Sequence, residues 1–212
     1  MRYLWCALLV FLPAPVAAQD IVIIGDSLMD WNEERSIPAL LSRELGVPVD
    51  NRSIAGAEIS AGFWNRWDGL DIRAQLGSDR PSLLVMAGGG NDLADACGCA
   101  ENCGAEVEVL LTQDGQGELG NFLRDAVEGG TQIFYLGYAD PPSGGNEFSS
   151  CAPAFHTLAE RLETMPGVTY VSVSDAINSN DLTLYDTDRV HPSAKGSSVM
   201  ATLLAESIRE LP

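Results

Sequence analysis

Short apolar runs alternate with amphipathic stretches along most of the chain. Five apolar runs predict strands, at residues 21–24, 47–51, 82–87, 133–136 and 168–173. Short, nearly continuous apolar runs that end at glycine or at polar residues are typical of strands buried on both faces of a parallel sheet.

The stretches between these runs carry apolar residues at helical spacing. Ser36 is placed to cap a helix that has Pro38 in its first turn and ends at Gly46. Further helices are predicted around residues 119–127, 155–162 and 199–211. Strands separated by amphipathic helices predict an α/β fold, a three-layer α/β/α domain with a doubly wound parallel sheet of about five strands. Residues 92–116 and 139–151 are the least regular stretches.

The first residues have the pattern of a signal peptide. Arg2 precedes an apolar run over residues 3–13, and small residues follow at Val16, Ala17 and Ala18. We therefore expect residues 1–19 to be cleaved on export to the periplasm or the medium, and residues 20–212 to form a single domain. A buried first strand and an uncleaved anchor are the alternatives.

The charge balance is strongly acidic. The chain has 12 basic residues against 30 acidic ones and a formal net charge of −18. A surface of this sign repels nucleic acid and anionic membranes. The sequence predicts no nucleic-acid partner and no stable membrane anchor, and it leaves the oligomeric state open.

The cysteines predict disulfides. With Cys6 inside the predicted leader, four remain: Cys97, Cys99, Cys103 and Cys151. An even number in an exported protein indicates two disulfides, one local and one that ties the cluster to Cys151. The sequence does not say which clustered cysteine pairs with Cys151. A four-thiolate zinc site is the alternative, although its usual two close pairs are missing.

A candidate nucleophile follows the first strand. The motif is Gly25-Asp26-Ser27-Leu28. Its glycine lets the chain turn sharply as it leaves the strand, which presents Ser27 at the carboxyl end of that strand. In such sheets, ligands bind outside the carboxyl ends of the strands. A serine hydroxyl becomes an effective nucleophile only beside a base. Asp26 is expected to hold the turn by hydrogen bonds. Taken alone, a serine in a strand–helix turn is more often a helix cap than a nucleophile.

A candidate base precedes the last helix, in Asp188-Arg189-Val190-His191-Pro192. A separation of three residues in a turn lets the Asp188 carboxylate reach one imidazole nitrogen of His191, while the other nitrogen can accept a proton. Asp175 and Asp186 are less suitably spaced. His156, the only other histidine, is expected on a helix surface.

Two further positions are candidates for an oxyanion hole. Gly56 follows the second strand, and its backbone N–H can face a developing negative charge. Asn91 follows the third strand after Gly89-Gly90 and can donate from its side-chain amide. Taken alone, Gly56 is more typical of a plain turn, and Asn91 is consistent with an ordinary Asx turn.

Taken together, these blocks resemble the SGNH subgroup of the GDSL hydrolases. They occur in the family order, as Ser27, Gly56, Asn91 and His191, with Asp188 three residues before the histidine. The resemblance implies the SGNH-hydrolase (flavodoxin-like) fold and a serine esterase mechanism without metal or organic cofactor. It also implies an oxyanion hole made of the Ser27 N–H, the Gly56 N–H and the Asn91 side chain.

The substrate does not carry over from the resemblance. A small-molecule or carbohydrate acyl ester is expected, and a carbohydrate O-acetyl esterase, an O-acetyltransferase and a non-catalytic polysaccharide-binding protein are the alternatives. Met29 stands where many members have a small hydroxyl residue, and we place it with Trp31 in the substrate pocket.

A second aromatic group lies outside these blocks. Phe63, Trp64 and Trp67 are expected to pack in the core, and a sugar-stacking or acyl-binding platform is the alternative.

Overall fold

A single parallel sheet organises the chain. The computed structural model describes residues 20–99 and 103–211, and within them the sheet has five strands in the order β2-β1-β3-β4-β5. This confirms the predicted three-layer α/β/α fold, and the strand order is the flavodoxin-like one. The signal peptide predicted for residues 1–19 lies outside the described residues. The strands are β1 Ile21–Ile24, β2 Val49–Asn51, β3 Leu83–Met86, β4 Gln132–Leu136 and β5 Val168–Val171.

Helices connect the strands and cover both faces of the sheet. In the described ranges they are α1 Ser27–Asp30, α2 Ile37–Leu45, α3 Phe63–Trp67, α4 Ile72–Leu76, α5 Gly90–Cys97, α6 Gly104–Leu110, α7 Gly117–Glu128, α8 Ala152–Glu163 and α9 Ala194–Arg209. Residues 92–116, expected to be among the least regular stretches, contain most of α5 and all of α6. Each of these helices buries few apolar side chains, so neither produces a long periodic pattern.

The alternation of side chains along the strands builds two cores. Val22 and Ile24 of β1 face a cluster formed with α4 to α8, whereas Ile21 and Ile23 face a cluster formed with α2 and α9. The strands β1, β3, β4 and β5 therefore contribute apolar side chains to both faces, as expected for a covered parallel sheet, whereas β2 contributes only Val49. Among the described residues, none of the helices is both long enough and apolar enough to cross a membrane.

One aromatic cluster lies outside both cores. Phe63, Trp64 and Trp67 are 71%, 75% and 81% exposed, so the expectation that they pack in the core was wrong. They share the five-residue helix α3. The next helix, α4, supplies the buried contacts of this region through Ile72 and Leu76.

The four cysteines in the described part of the chain form two disulfides. Cys97 is bonded to Cys103, and Cys99 is bonded to Cys151, 52 residues further along the chain. The second bond ties the end of α5 to the start of α8. This agrees with the expected arrangement of one local bond and one bond to Cys151, rather than with the zinc alternative.

Removing the longer bond should destabilise the protein more than removing the shorter one. Replacing Cys99 and Cys151 by alanine should lower the free energy of unfolding by about 4 kcal/mol, and replacing Cys97 and Cys103 by about 2 kcal/mol, since a longer closed loop restricts the unfolded chain more. Urea unfolding of the two double variants measures the difference. A larger loss from the Cys97/Cys103 variant would contradict this reasoning.

Candidate active site

The turn after β1 positions Ser27. The backbone N–H of Gly25 donates to Oε1 of Gln75 at 2.7 Å, and its C=O accepts from Nε2 of the same side chain at 2.9 Å. A Cβ at Gly25 would lie 2.7 Å from the carbonyl oxygen of Ala87, the residue directly after β3, so only glycine fits there. The chain then turns into α1, whose first residue is Ser27.

Asp26 caps this short helix from a buried position. Its Oδ1 accepts the Leu28 N–H at 2.9 Å, and its Oδ2 accepts the Tyr138 hydroxyl at 2.5 Å. Burial raises the pKa of Asp26, although these two hydrogen bonds offset part of the effect. The Tyr138 hydroxyl in turn accepts the N–H of Gly90 at 3.1 Å. This relay joins the Ser27 turn to the first residue of α5, so Asp26 holds the turn as the sequence predicts.

Ser27, His191 and Asp188 are brought into one hydrogen-bonded line. Nε2 of His191 lies 2.8 Å from Oγ of Ser27, and Nδ1 lies 2.6 Å from Oδ2 of Asp188. The imidazole side chain is 17% exposed and the carboxylate 37% exposed. Of the carboxylates considered in the sequence, Asp188 is the one bonded to the ring, and Asp186 has a different partner.

The other oxygen of Asp188 organises the turn that carries His191. Its Oδ1 accepts the N–H of Val190 at 2.9 Å and the N–H of His191 at 3.0 Å. Burial would raise the pKa of Asp188, but the hydrogen bonds from the His191 side chain and from the two backbone N–H groups outweigh it and hold the pKa below its usual value. Asp188 is therefore ionised at neutral pH.

The two oxyanion-hole candidates lie on adjacent segments. Nδ2 of Asn91 donates to the Ala57 carbonyl at 2.9 Å, which ties α5 to the loop that contains Gly56. Gly56 has a φ of 81°, a left-handed conformation that favours glycine. Buried Asp92 reinforces the contact, because its carboxylate accepts the N–H groups of Ile59 and Ser60 at 3.0 and 2.6 Å.

A mostly apolar cavity opens beside Ser27 and His191. Its volume is about 160 Å³, and Asn91 is on its wall. Its apolar walls include Tyr138, Phe148, Phe155, Ile177, Leu184 and Met200.

Neither residue predicted for the pocket lines this cavity. Met29 is fully buried and packs in the core between the sheet, α2 and α9, because it follows Ser27 on the inner side of α1. Trp31 is absent from the described residues that line the cavity. Its indole stacks on the His191 ring, with centroids 3.7 Å apart and an interplanar angle of 8°.

His156 lies on the surface of α8, as predicted. Its side chain is 64% exposed, and its Nε2 is 3.0 Å from Oδ1 of Asp140. The sequence did not indicate three side chains that hold the site together, those of Gln75, Asp92 and Tyr138. Each acts through a contact with a residue far away in the chain, and none lies in a motif that marks such a contact.

Comparisons with known proteins bear on the family and on the fold. A model of the GDSL-like lipase/acylhydrolase family matches residues 23–199. Among solved structures, a protein described as an SGNH hydrolase from Slackia heliotrinireducens is 19% identical, with a TM-score of 0.62 and coverage of 90% of this chain and 99% of that one. The lipase Lip_vut3 from a goat rumen metagenome is 17% identical, with a TM-score of 0.64 and coverage of 89% and 97%.

A family two carbohydrate esterase from Clostridium thermocellum, solved in complex with cellohexaose, is 16% identical, with a TM-score of 0.57 and coverage of 93% of this chain and 65% of that one. At these identities the similarity shows the fold alone. No curated protein gives a significant match. Since the family model spans most of the sequence, the chain belongs to the GDSL-like lipase/acylhydrolase family.

Proposed function

We propose that this chain is an exported serine esterase that hydrolyses acyl esters, with Ser27 as nucleophile, His191 as general base and Asp188 as the carboxylate that orients the base. The observation that carries the proposal is the line of hydrogen bonds from Asp188 through His191 to Ser27, with distances of 2.6 and 2.8 Å, beside an apolar cavity. Export is supported by the predicted leader and by the two disulfides, which are typical of exported proteins.

The reaction has two halves that use the same groups. In the first half, Nε2 of His191 takes the Ser27 proton while Oγ attacks the ester carbonyl. The tetrahedral intermediate then expels the alcohol, which receives that proton from His191, and an acyl-enzyme remains. In the second half, His191 deprotonates water, the water attacks the acyl carbon, and Ser27 leaves with its proton restored. Asp188 stays ionised and stabilises the imidazolium in both halves.

The negative charge on the carbonyl oxygen is held by the Ser27 N–H, the Gly56 N–H and the Asn91 amide. Asn91 has two N–H donors, and its bond to the Ala57 carbonyl occupies one of them. That bond fixes the orientation of the amide before substrate arrives, so the second donor needs little reorganisation. Side-chain and backbone groups of this chain carry every step, and no cofactor enters the proposal.

The cavity favours a short acyl group. An apolar protein cavity of about 150 Å³ holds one benzene molecule, and the cavity beside Ser27 is about 160 Å³. An acyl chain of roughly six carbons fills a similar volume, whereas a long fatty acyl chain exceeds it. The apolar walls suit the hydrocarbon part of such a chain.

A second candidate is the hydrolysis of acetyl esters on a carbohydrate. The small cavity accommodates an acetyl group, and one structural neighbour is described as a carbohydrate esterase. The strongly acidic surface is compatible with a neutral carbohydrate and unfavourable for a polyanionic one. The residues and steps are the same for both candidates, and only the alcohol differs.

Replacing the nucleophile should abolish turnover. Ser27→Ala should lower kcat for p-nitrophenyl acetate by at least about 10⁴-fold, because no other group supplies the attacking oxygen of the acyl-enzyme. Initial-rate kinetics measure this loss. Its matched control is Ser78→Ala, at an exposed serine in the turn after α4, which should keep the wild-type rate.

The melting temperature of Ser27→Ala should stay close to that of the wild type, because the exchange removes one partly exposed hydroxyl group. Near-wild-type hydrolysis by a folded Ser27→Ala variant would show that the mechanism is wrong.

The size of the cavity should appear as a chain-length preference. For p-nitrophenyl esters from acetate to palmitate, kcat/KM should be highest within the acetate to hexanoate range and fall by at least about tenfold by laurate, because longer chains exceed the cavity volume. Acetate release from acetylated xylan, measured in parallel, distinguishes the carbohydrate candidate. A maximum at laurate or palmitate would contradict the assignment of a small acyl pocket.

A further inference from the structure

Two hydrogen bonds hold the His191 ring, one at each of its nitrogens. Asp188 is bonded to Nδ1 and Ser27 to Nε2, the two positions on either side of Cε1. Neither bond supports a face of the ring, so rotation of the ring about its Cβ–Cγ bond is opposed mainly by contacts with its faces. Such a rotation turns the Nε2 lone pair away from the Ser27 hydroxyl and weakens the bond, since hydrogen bonds depend on alignment.

The Trp31 indole covers one face of this ring. The two rings are nearly parallel, with an angle of 8° and a centroid separation of 3.7 Å, which is van der Waals contact. Contact over a whole face opposes rotation of the imidazole about its Cβ–Cγ bond. The aromatic face also lies against the ring at the stage when His191 holds the Ser27 proton, and such faces attract cations.

Asp186 anchors the indole. Its Oδ2 accepts the Trp31 Nε1–H at 2.7 Å, and its Oδ1 accepts the Thr187 N–H at 2.6 Å. The hydrogen bond from Trp31 has the largest effect on the pKa of Asp186, and the bond from the Thr187 N–H has the second largest. Both hold this pKa below its usual value, so the Asp186 carboxyl group is ionised at neutral pH. The backbone N–H of Asp186 also donates to the His191 carbonyl at 2.8 Å. Asp186 and His191 therefore belong to the same turn.

Backbone contacts connect this stack to the Ser27 turn. The Trp31 N–H donates to the Ser27 carbonyl at 3.0 Å. The next residue, Asn32, donates through Nδ2 to the Pro192 carbonyl at 2.8 Å and to Ser197 Oγ at 3.0 Å. Trp31 and Asn32 together bridge the segment that carries the nucleophile and the segment that carries the base, which are more than 160 residues apart.

We infer that Trp31, anchored by Asp186, is a positioning residue that keeps the His191 ring in the plane from which it can serve Asp188 and Ser27 at once. This inference rests on the proposed function and adds a positioning residue to the proposed active site. Trp31 acts through His191 and has no contact with the acyl cavity in the described structure, so its contribution belongs to the chemical step rather than to substrate binding.

Kinetics of four variants test this role with p-nitrophenyl acetate as substrate. Trp31→Leu should lower kcat by about 10- to 100-fold with KM changed less than about twofold, the size of effect expected from a misplaced catalytic group. Trp31→Phe should recover most of the activity, because it keeps an aromatic face against the ring. Asp186→Asn, which keeps the side-chain volume, should lower kcat by about fivefold, because a charged acceptor strengthens a hydrogen bond.

The Trp31→Leu/Asp186→Asn double variant should be no slower than Trp31→Leu alone, since both substitutions remove one unit. Trp67→Leu is the matched control, because this indole is 81% exposed and lies outside the site. It should keep wild-type kinetics.

The outcomes separate this inference from the proposed function. Inactive Ser27→Ala with wild-type kcat in folded Trp31→Leu and in Asp186→Asn would overturn the positioning role and leave the esterase intact. A wild-type rate in Ser27→Ala would overturn both. A rise in KM with unchanged kcat in Trp31→Leu would assign the indole to substrate binding and also overturn the inference. If Trp31→Leu folds poorly, Asp186→Asn decides, and an unchanged kcat there counts against the role.

Discussion

The site depends on the close contact between Gly25 and Ala87, the residues directly after β1 and β3. There is no room for a side chain between Gly25 and the Ala87 carbonyl, and the Gln75 amide occupies both polar groups of the glycine backbone. The chain therefore leaves β1 in one direction only. Asp26 is directed inward as a buried cap, and Ser27 is left at the opening of the cavity. The position of the candidate nucleophile follows from the packing of two strands.

Two buried carboxylates connect the segments of the site by hydrogen bonds. Asp26 reaches α5 through the Tyr138 hydroxyl, and Asp92 holds the loop after β2 through two backbone N–H groups. Burial raises the pKa of both carboxylates, which shows that their burial is costly. The hydrogen bonds offset part of that cost. They also make the arrangement specific, because a buried polar group that loses its partner is strongly destabilising.

Most of the fold could be predicted from the sequence, because the strands are continuous apolar runs and the long helices have clear periodicity. The positions of Ser27, Asp188 and His191 could be predicted because each lies in a local motif at a strand end or a helix start. Met29 was misplaced because four helical residues are too few to show which face is buried. The role of Trp31 was missed for a different reason. Its partners, His191 and Asp186, are more than 150 residues away, and nothing in the local sequence indicates a contact over that distance.

The measurement that bears most directly on the central claim is the mapping of a covalent adduct. A fluorophosphonate reacts with a serine that a neighbouring base has activated, and mass spectrometry of the digested protein locates the phosphonylated residue. Our account predicts one adduct, on the peptide that contains Ser27, in the folded protein, and its loss on unfolding or on replacing His191 by glutamine. A folded protein that gave no adduct, or an adduct on a different serine, would contradict the account.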